Sequence, residues 1–278
     1  MSHFISVDDL AAALTTDTPP ILLDLRFDPG AGSAPARFEK GHLPGARFVR
    51  LENIFADVSG NGGGAAPLPQ PEPLEDGLRE LGLDNDTDIV VYVDTTGSAA
   101  ARAWWVLTWA GAERVRVLDG GIKAWATAGQ DLVVDDDKPR GAQGSFTVRA
   151  GRLPSTDAAG LEPLVTGRGE AWVLIDTRRP PQFAGEEENP RTGHIPGAQN
   201  LPQPIFTQAD GTVADRSAVL ASLASVGADE SELVLYCGAG VSSAYAVLAL
   251  AEHGIPATLY AGSFSDWAAD PSRPVEQG

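Results

Sequence analysis

A single cysteine, Cys237, is all the thiol that this 278-residue chain holds. One thiol excludes an internal disulfide and a multi-thiolate zinc site. Positive charge is also scarce: 20 Lys and Arg stand against 38 Asp and Glu, a formal net charge of −18. That field repels phosphate backbones and anionic headgroups, so neither nucleic acid nor a membrane surface is an expected partner. No run of about 18 apolar residues occurs, so no transmembrane helix is expected. The opening residues lack a basic stretch followed by an apolar one and do not read as a secretory signal, which makes the cytoplasm the simplest location. A lone cysteine has two readings in such a chain. It is a small buried hydrophobe or it is a nucleophile, and its neighbours must decide.

The chain does contain an internal repeat. Ile21-Leu22-Leu23-Asp24-Leu25-Arg26 returns 152 residues later as Val173-Leu174-Ile175-Asp176-Thr177-Arg178. Gly41-His42-Leu43-Pro44-Gly45-Ala46 returns at the same offset as Gly193-His194-Ile195-Pro196-Gly197-Ala198. Ile89–Tyr92 matches Leu233–Tyr236 at an offset of 144, and Asp119–Trp125 loosely matches Ala261–Trp267 at 142. Four blocks in one order, at so long a period, imply a duplicated domain and not a solenoid. The length also suits two domains. The charged, Pro- and Gly-bearing stretch around residues 136–148 reads as the linker, which leaves domains at 1–135 and 149–278.

Short apolar runs recur at 21–25, 89–93, 115–118, 172–175, 233–236 and 258–260. They do not alternate, which suits strands buried on both faces of a parallel sheet. Ala-rich helical stretches lie between them, at 99–110 and 242–253, with Gly111 and Gly254 as stops. The pattern predicts α/β domains, each a mostly parallel sheet flanked by helices. Ligands in such sheets bind beyond the C-terminal ends of strands. Beyond the 233–236 strand comes Cys237-Gly238-Ala239-Gly240-Val241-Ser242, then a helix. Gly238 and Gly240 permit a tight turn that aims backbone N–H groups at one point. The helix N-terminus adds positive potential, and a thiol held there ionises more readily. Ser242 or Ser243 reads as a helix cap.

That loop, both Asp-x-Arg strands, both Gly-His-x-Pro-Gly-Ala blocks, and Arg102 followed by Trp104 and Trp105 resemble the rhodanese-type sulfurtransferases. The loop is most similar to the mercaptopyruvate branch, which reads Cys-Gly-Ser/Ala-Gly-Val-Thr. The thiosulfate branch places basic residues after the cysteine. The resemblance implies two tandem rhodanese-like domains with only the second active, since the first-half loop Val93–Ser98 has no cysteine. Asp94 is read as standing in the place of the nucleophile. It further implies that Cys237 takes sulfur from a small anionic donor, 3-mercaptopyruvate or thiosulfate, as a persulfide. A thiol, cyanide or a thioredoxin-like acceptor then removes it, and no metal or organic cofactor is implied.

The resemblance places Arg191 on the donor. It also places Gln182 there, where the family has a second Arg. Exchanging a charged contact for a neutral one costs on the order of 1.5–3 kcal/mol. Arg179 is a candidate substitute, and Arg178 reads as a structural ion pair of its Asp-x-Arg block. Ala239 leaves open the loop position where some family members carry Ser. His42 is a candidate cleft residue, whereas His194, in the repeated block, reads as a turn histidine bonded to backbone. The tryptophans read as packing, and the region of residues 60–64 and 67–73 as a flexible surface loop. Two competing functions follow. A Cys-x5-Arg phosphatase would need Arg at position 243, which is Ser243. A sulfur carrier charged by a protein partner would keep the fold and lose the small donor.

Overall fold

The computed structural model describes residues 2–26, 33–57, 62–95, 97–134, 142–166, 172–229 and 231–278. The chain divides into two compact units. The first comprises Met1–Asp57, Pro69–Leu153 and Ala209–Thr212; the second comprises Val58–Leu68, Pro154–Gln208 and Val213–Gly278.

The first unit holds strands β1 (Phe4–Ile5), β2 (Ile21–Leu25), β3 (Arg47–Val49), β4 (Asp88–Tyr92) and β5 (Arg114–Leu118). All are parallel, in the order β1-β5-β4-β2-β3. Its helices are α1 (Val7–Leu14), α2 (Ala34–Glu39), α3 (Leu51–Ile54), α4 (Pro71–Glu80), α5 (Ser98–Ala110) and α6 (Gly121–Thr127). The second unit holds β6 (Ser155–Thr156), β7 (Trp172–Asp176), β8 (Gln199–Asn200), β9 (Glu232–Tyr236) and β10 (Ala257–Tyr260). They are parallel in the order β6-β10-β9-β7-β8, the same topology strand for strand. Its helices are α7 (Ala158–Val165), α8 (Pro180–Ala184), α9 (Arg216–Ser225), α10 (Ser242–Glu252) and α11 (Ser263–Ala269), with a 3-10 turn at Gln203–Phe206. The expected α/β architecture of parallel sheets flanked by helices is present in each unit.

The central strands explain their non-alternating sequence. Leu233, Val234, Leu235 and Tyr236 of β9 are all buried, as are Ile89–Tyr92 of β4. Burying each such side chain stabilises by roughly 1.5–3 kcal/mol. Helices α5 and α10 are buried on nearly all sides, which accounts for their runs of Ala and Leu. Gly111 (φ +111°) and Gly254 (φ +72°) follow them in left-handed conformations that suit glycine. Trp104, Trp105 and Trp125 are core residues of the first unit.

The repeated motifs are scaffold. Arg26 clamps Asp24 with two bonds of 2.8 Å and donates to the Gly41 carbonyl at 2.7 Å. Arg178 does the same with Asp176 and with the Gly193 carbonyl at 2.6 Å. The Tyr92 hydroxyl accepts the Leu43 N–H, and the Tyr236 hydroxyl accepts the Ile195 N–H, each at 3.1 Å. Strand ends and Gly-His-x-Pro-Gly-Ala turns are thereby tied together twice over.

The division between the units falls at Leu153 and Pro154, later than the expected linker at 136–148. Residues 136–141 of that stretch lie outside the described residues. The remainder is held to the first unit: Ser145 N–H and hydroxyl bond to Asp84, Val148 N–H to Glu75, and Phe146 is buried. A charged, Pro/Gly-bearing composition is also compatible with an anchored extended segment. Among the described residues no helix is long and apolar enough to cross a membrane.

Candidate active site

Strand β9 ends at Tyr236, and Cys237 is the next residue, 2% exposed. The chain turns through Gly238–Val241 and enters α10 at Ser242. Gly240 is left-handed (φ +75°), as the turn demands. Gly238 is not among the positive-φ glycines, and a Cβ there would meet nothing within 4 Å. Of the two glycines expected to be conformationally required, only Gly240 is.

Three groups converge on the Cys237 sulfur. The Gly240 N–H donates to Sγ at 3.1 Å, and the Ser243 hydroxyl donates at 3.4 Å. The Ser263 hydroxyl lies 3.9 Å away. Neither Ser242 nor Ser243 caps α10 in the expected way; the N-cap position is Val241 and has no side-chain cap bond. Burial pushes the Cys237 thiol up, but the hydroxyls of Ser242 and Ser243 and the N–H groups of Ser243 and Ala239 outweigh it. The net direction is downward, toward thiolate.

Helix α11 holds this loop from the other side. Ser263 Oγ accepts the Cys237 N–H at 3.1 Å and donates to the Tyr260 carbonyl at 2.9 Å. The Phe264 N–H donates to the Cys237 carbonyl at 2.9 Å, and the Ser265 N–H to the Gly238 carbonyl at 3.0 Å. The Ser265 hydroxyl in turn accepts the Ala65 N–H at 2.8 Å, from a segment 62–68 that belongs to the second unit. Residues 60 and 61 of the loop expected at 60–64 and 67–73 lie outside the described residues. Its last three residues are not loop: α4 begins at Pro71, with proline in its first turn.

The other candidate residues fall as follows. Arg191 directs its guanidinium to the carbonyls of Arg273 (2.8 Å), Ala268 (2.7 Å) and Asp270 (2.9 Å). These lie at and beyond the C-terminal end of α11. The seven-residue helix, about 10 Å long at ~1.5 Å per residue, separates that end from the Cys237 loop. Gln182 on α8 and Arg179 at its N-cap are exposed. Arg178 forms the structural ion pair already described. His42 is buried, with Nδ1 3.0 Å from the Phe38 carbonyl oxygen and its ring stacked on Phe38. His194 repeats this arrangement with Phe183, so His42 takes the same turn-bracing role.

The first unit shows what the site has added. Ile122 N–H donates to the Val93 carbonyl at 3.0 Å, as Phe264 does to Cys237. Val93, not Asp94, therefore occupies the position of the nucleophile. Asp94 pairs with Arg37 (2.8 Å) and Arg26 (3.5 Å) and so anchors the loop electrostatically; Thr96 of this loop lies outside the described residues. Ala99 stands where Ser243 stands, and Gly121 where Ser263 stands. Ser263 and Ser243 were legible in the sequence only as departures from those first-half partners.

The scaffold occurs twice and the thiol cradle once, which defines a chain of two like α/β domains with its one thiol in the second. A rhodanese-like domain model matches residues 6–128 and again 164–270, and the chain belongs to that family. It is similar over 277 residues, at 39% identity, to the "Putative thiosulfate sulfurtransferase SseB" of Mycobacterium tuberculosis, covering 99% of this chain and 96% of that one. It is 37% identical to the "Probable 3-mercaptopyruvate sulfurtransferase" of Pseudomonas aeruginosa, covering 100% and 99%. The crystal structure of SseA from Escherichia coli, described as a 3-mercaptopyruvate sulfotransferase, superposes with a TM-score of 0.83 at 28% identity, covering 95% of this chain and 99% of that one. The protein is an enzyme of the sulfurtransferase class.

Proposed function

We propose that Cys237 is the nucleophile and carries the transferred sulfur as a persulfide, taken from 3-mercaptopyruvate or, second, from thiosulfate. The observation that carries this reading is the cradle itself: a buried sulfur that receives the Gly240 N–H and the Ser243 hydroxyl at the mouth of α10. These donors favour the anionic form of sulfur, which is both the attacking species and the leaving group. Gly238, Ala239 and Ser242 line the partly exposed side of the loop, where a donor would approach. The absence of basic residues in the loop supports mercaptopyruvate over thiosulfate, and the acceptor is a thiol, cyanide or a thioredoxin-like protein. Arg179 and Gln182, both exposed, are the groups proposed to meet the donor carboxylate.

A second reading has its own support. Arg191, the expected anion-binding residue, is engaged by three carbonyls, and Gln182 carries no charge. A sulfur carrier loaded by a protein partner would have less need of an anion site. Intact mass after brief exposure to each donor separates the two. A gain of about 32 Da, lost in Cys237→Ser, supports the enzyme with a small donor. No gain from either donor favours the carrier.

A further inference from the structure

Ser243 is 0% exposed and sits in the first turn of α10, with its hydroxyl aimed at Cys237 Sγ across 3.4 Å. The equivalent helix of the first unit carries Ala99 there, equally enclosed. The helix therefore does not need a hydroxyl at this position. A buried hydroxyl is unfavourable unless it has a partner. At Ser243 that partner is the sulfur, and it exists only in the unit that has the cysteine.

We propose that Ser243 is a catalytic residue whose O–H stabilises Cys237 Sγ as the departing thiolate when sulfur passes to the acceptor. This rests on the persulfide reading above. In loading, the Sγ electron pair forms an S–S bond to the donor's sulfur. The donor's C–S bond (mercaptopyruvate) or S–S bond (thiosulfate) breaks, and its electron pair leaves with pyruvate enolate, which then takes a proton, or with sulfite. The negative charge now lies on the outer sulfur, and Sγ is a neutral, two-bonded atom. In discharge, the acceptor's electron pair attacks the outer sulfur and the Sγ–S bond breaks. Its electron pair, with the negative charge, returns to Sγ. A hydroxyl fixed on Sγ bonds weakly to the neutral atom and strongly to the thiolate. It is thus differentially favourable as discharge proceeds, which is the condition for accelerating that step. Held at the base of the cradle, it favours emptying the enzyme over filling it. The downward direction of the Cys237 thiol, with the Ser243 hydroxyl among its causes, agrees with this placement.

The test uses the full chain, preloaded with sulfur and then mixed with cyanide, with thiocyanate appearance read in a single turnover. Ser243→Ala is structurally conservative because Ala99 is its counterpart. It is expected to slow discharge about tenfold and to raise the pH midpoint of Cys237 alkylation by about one unit. Loading, measured well above that midpoint, stays as fast or becomes faster. Ser243→Thr, which keeps the hydroxyl, restores both quantities. The proposal is overturned if discharge by the Ala variant stays within about twofold of the parent, if the midpoint does not move, or if Ala and Thr slow it equally. Should the parent enzyme take up no sulfur from either donor, the persulfide reading itself fails. Normal loading with unchanged discharge in Ser243→Ala defeats only the role of Ser243.

Discussion

Ser263 and Gly121, which open α11 and α6, share the same left-handed backbone, φ +57° and +59°. Among the described residues Ser263 is the sole non-glycine with positive φ. A side chain there costs on the order of 1 kcal/mol that glycine avoids. Its return is the hydroxyl that accepts the Cys237 N–H.

Ser263→Gly should therefore relieve the strain while losing that hydrogen bond. The expected result is a stability within about 1 kcal/mol of the parent by chemical denaturation, with sulfur transfer reduced at least about tenfold. Ser263→Ala, which keeps the strain and loses the bond, should be less stable than the Gly variant by about 1 kcal/mol. Full activity in Ser263→Gly would show the residue to be scaffold alone.

The pH dependence of Cys237 has a defined sign. Burial raises the thiol, but the Ser242 and Ser243 hydroxyls and the loop N–H groups bring it below its ordinary value. Alkylation by iodoacetamide should rise with pH and level off earlier than for a thiol in an unfolded peptide. Because the folded value lies below the unfolded one, the stability it contributes is present above the unfolded value. It is lost as pH falls through the folded value. Cys237→Ser should remove that part of the stability profile; a profile unchanged by the substitution would contradict the assignment.

Arg191 braces α11 through three backbone carbonyls. Arg191→Ala should lower stability by about 1.5–3 kcal/mol, measured by urea denaturation, and change donor KM by less than about threefold. A tenfold rise in KM at unchanged stability would return Arg191 to the donor.

Gly64 touches the same helix from outside. A Cβ at Gly64 would lie 2.4 Å from the Gly262 carbonyl oxygen and 2.7 Å from Ser265 Oγ, at φ +91°. At Gly62, φ +97°, it would meet nothing. Gly64→Ala should break the Ala65–Ser265 bond and speed limited proteolysis within 62–68, whereas Gly62→Ala pays only backbone strain. Equal cleavage in the two variants would mean that segment 62–68 is not held at α11.

The sequence by itself determined the duplication, the parallel α/β architecture and the position of Cys237 between a strand and a helix. These follow from local information: runs of buried β-branched residues, Gly stops and Asp-x-Arg blocks whose partners lie two residues apart. The edge strands Phe4–Ile5, Ser155–Thr156 and Gln199–Asn200 were not legible, because two residues carry no periodicity. The anchoring of 142–153 to the first unit depends on Asp84 and Glu75, some 60 to 73 residues away. Tertiary structure alone decided that Ser263 holds Cys237 across 26 residues and that Arg191 reaches carbonyls 77 to 82 residues away. Hydrogen bonds of that kind depend on where folding brings two groups together, and no local pattern records it.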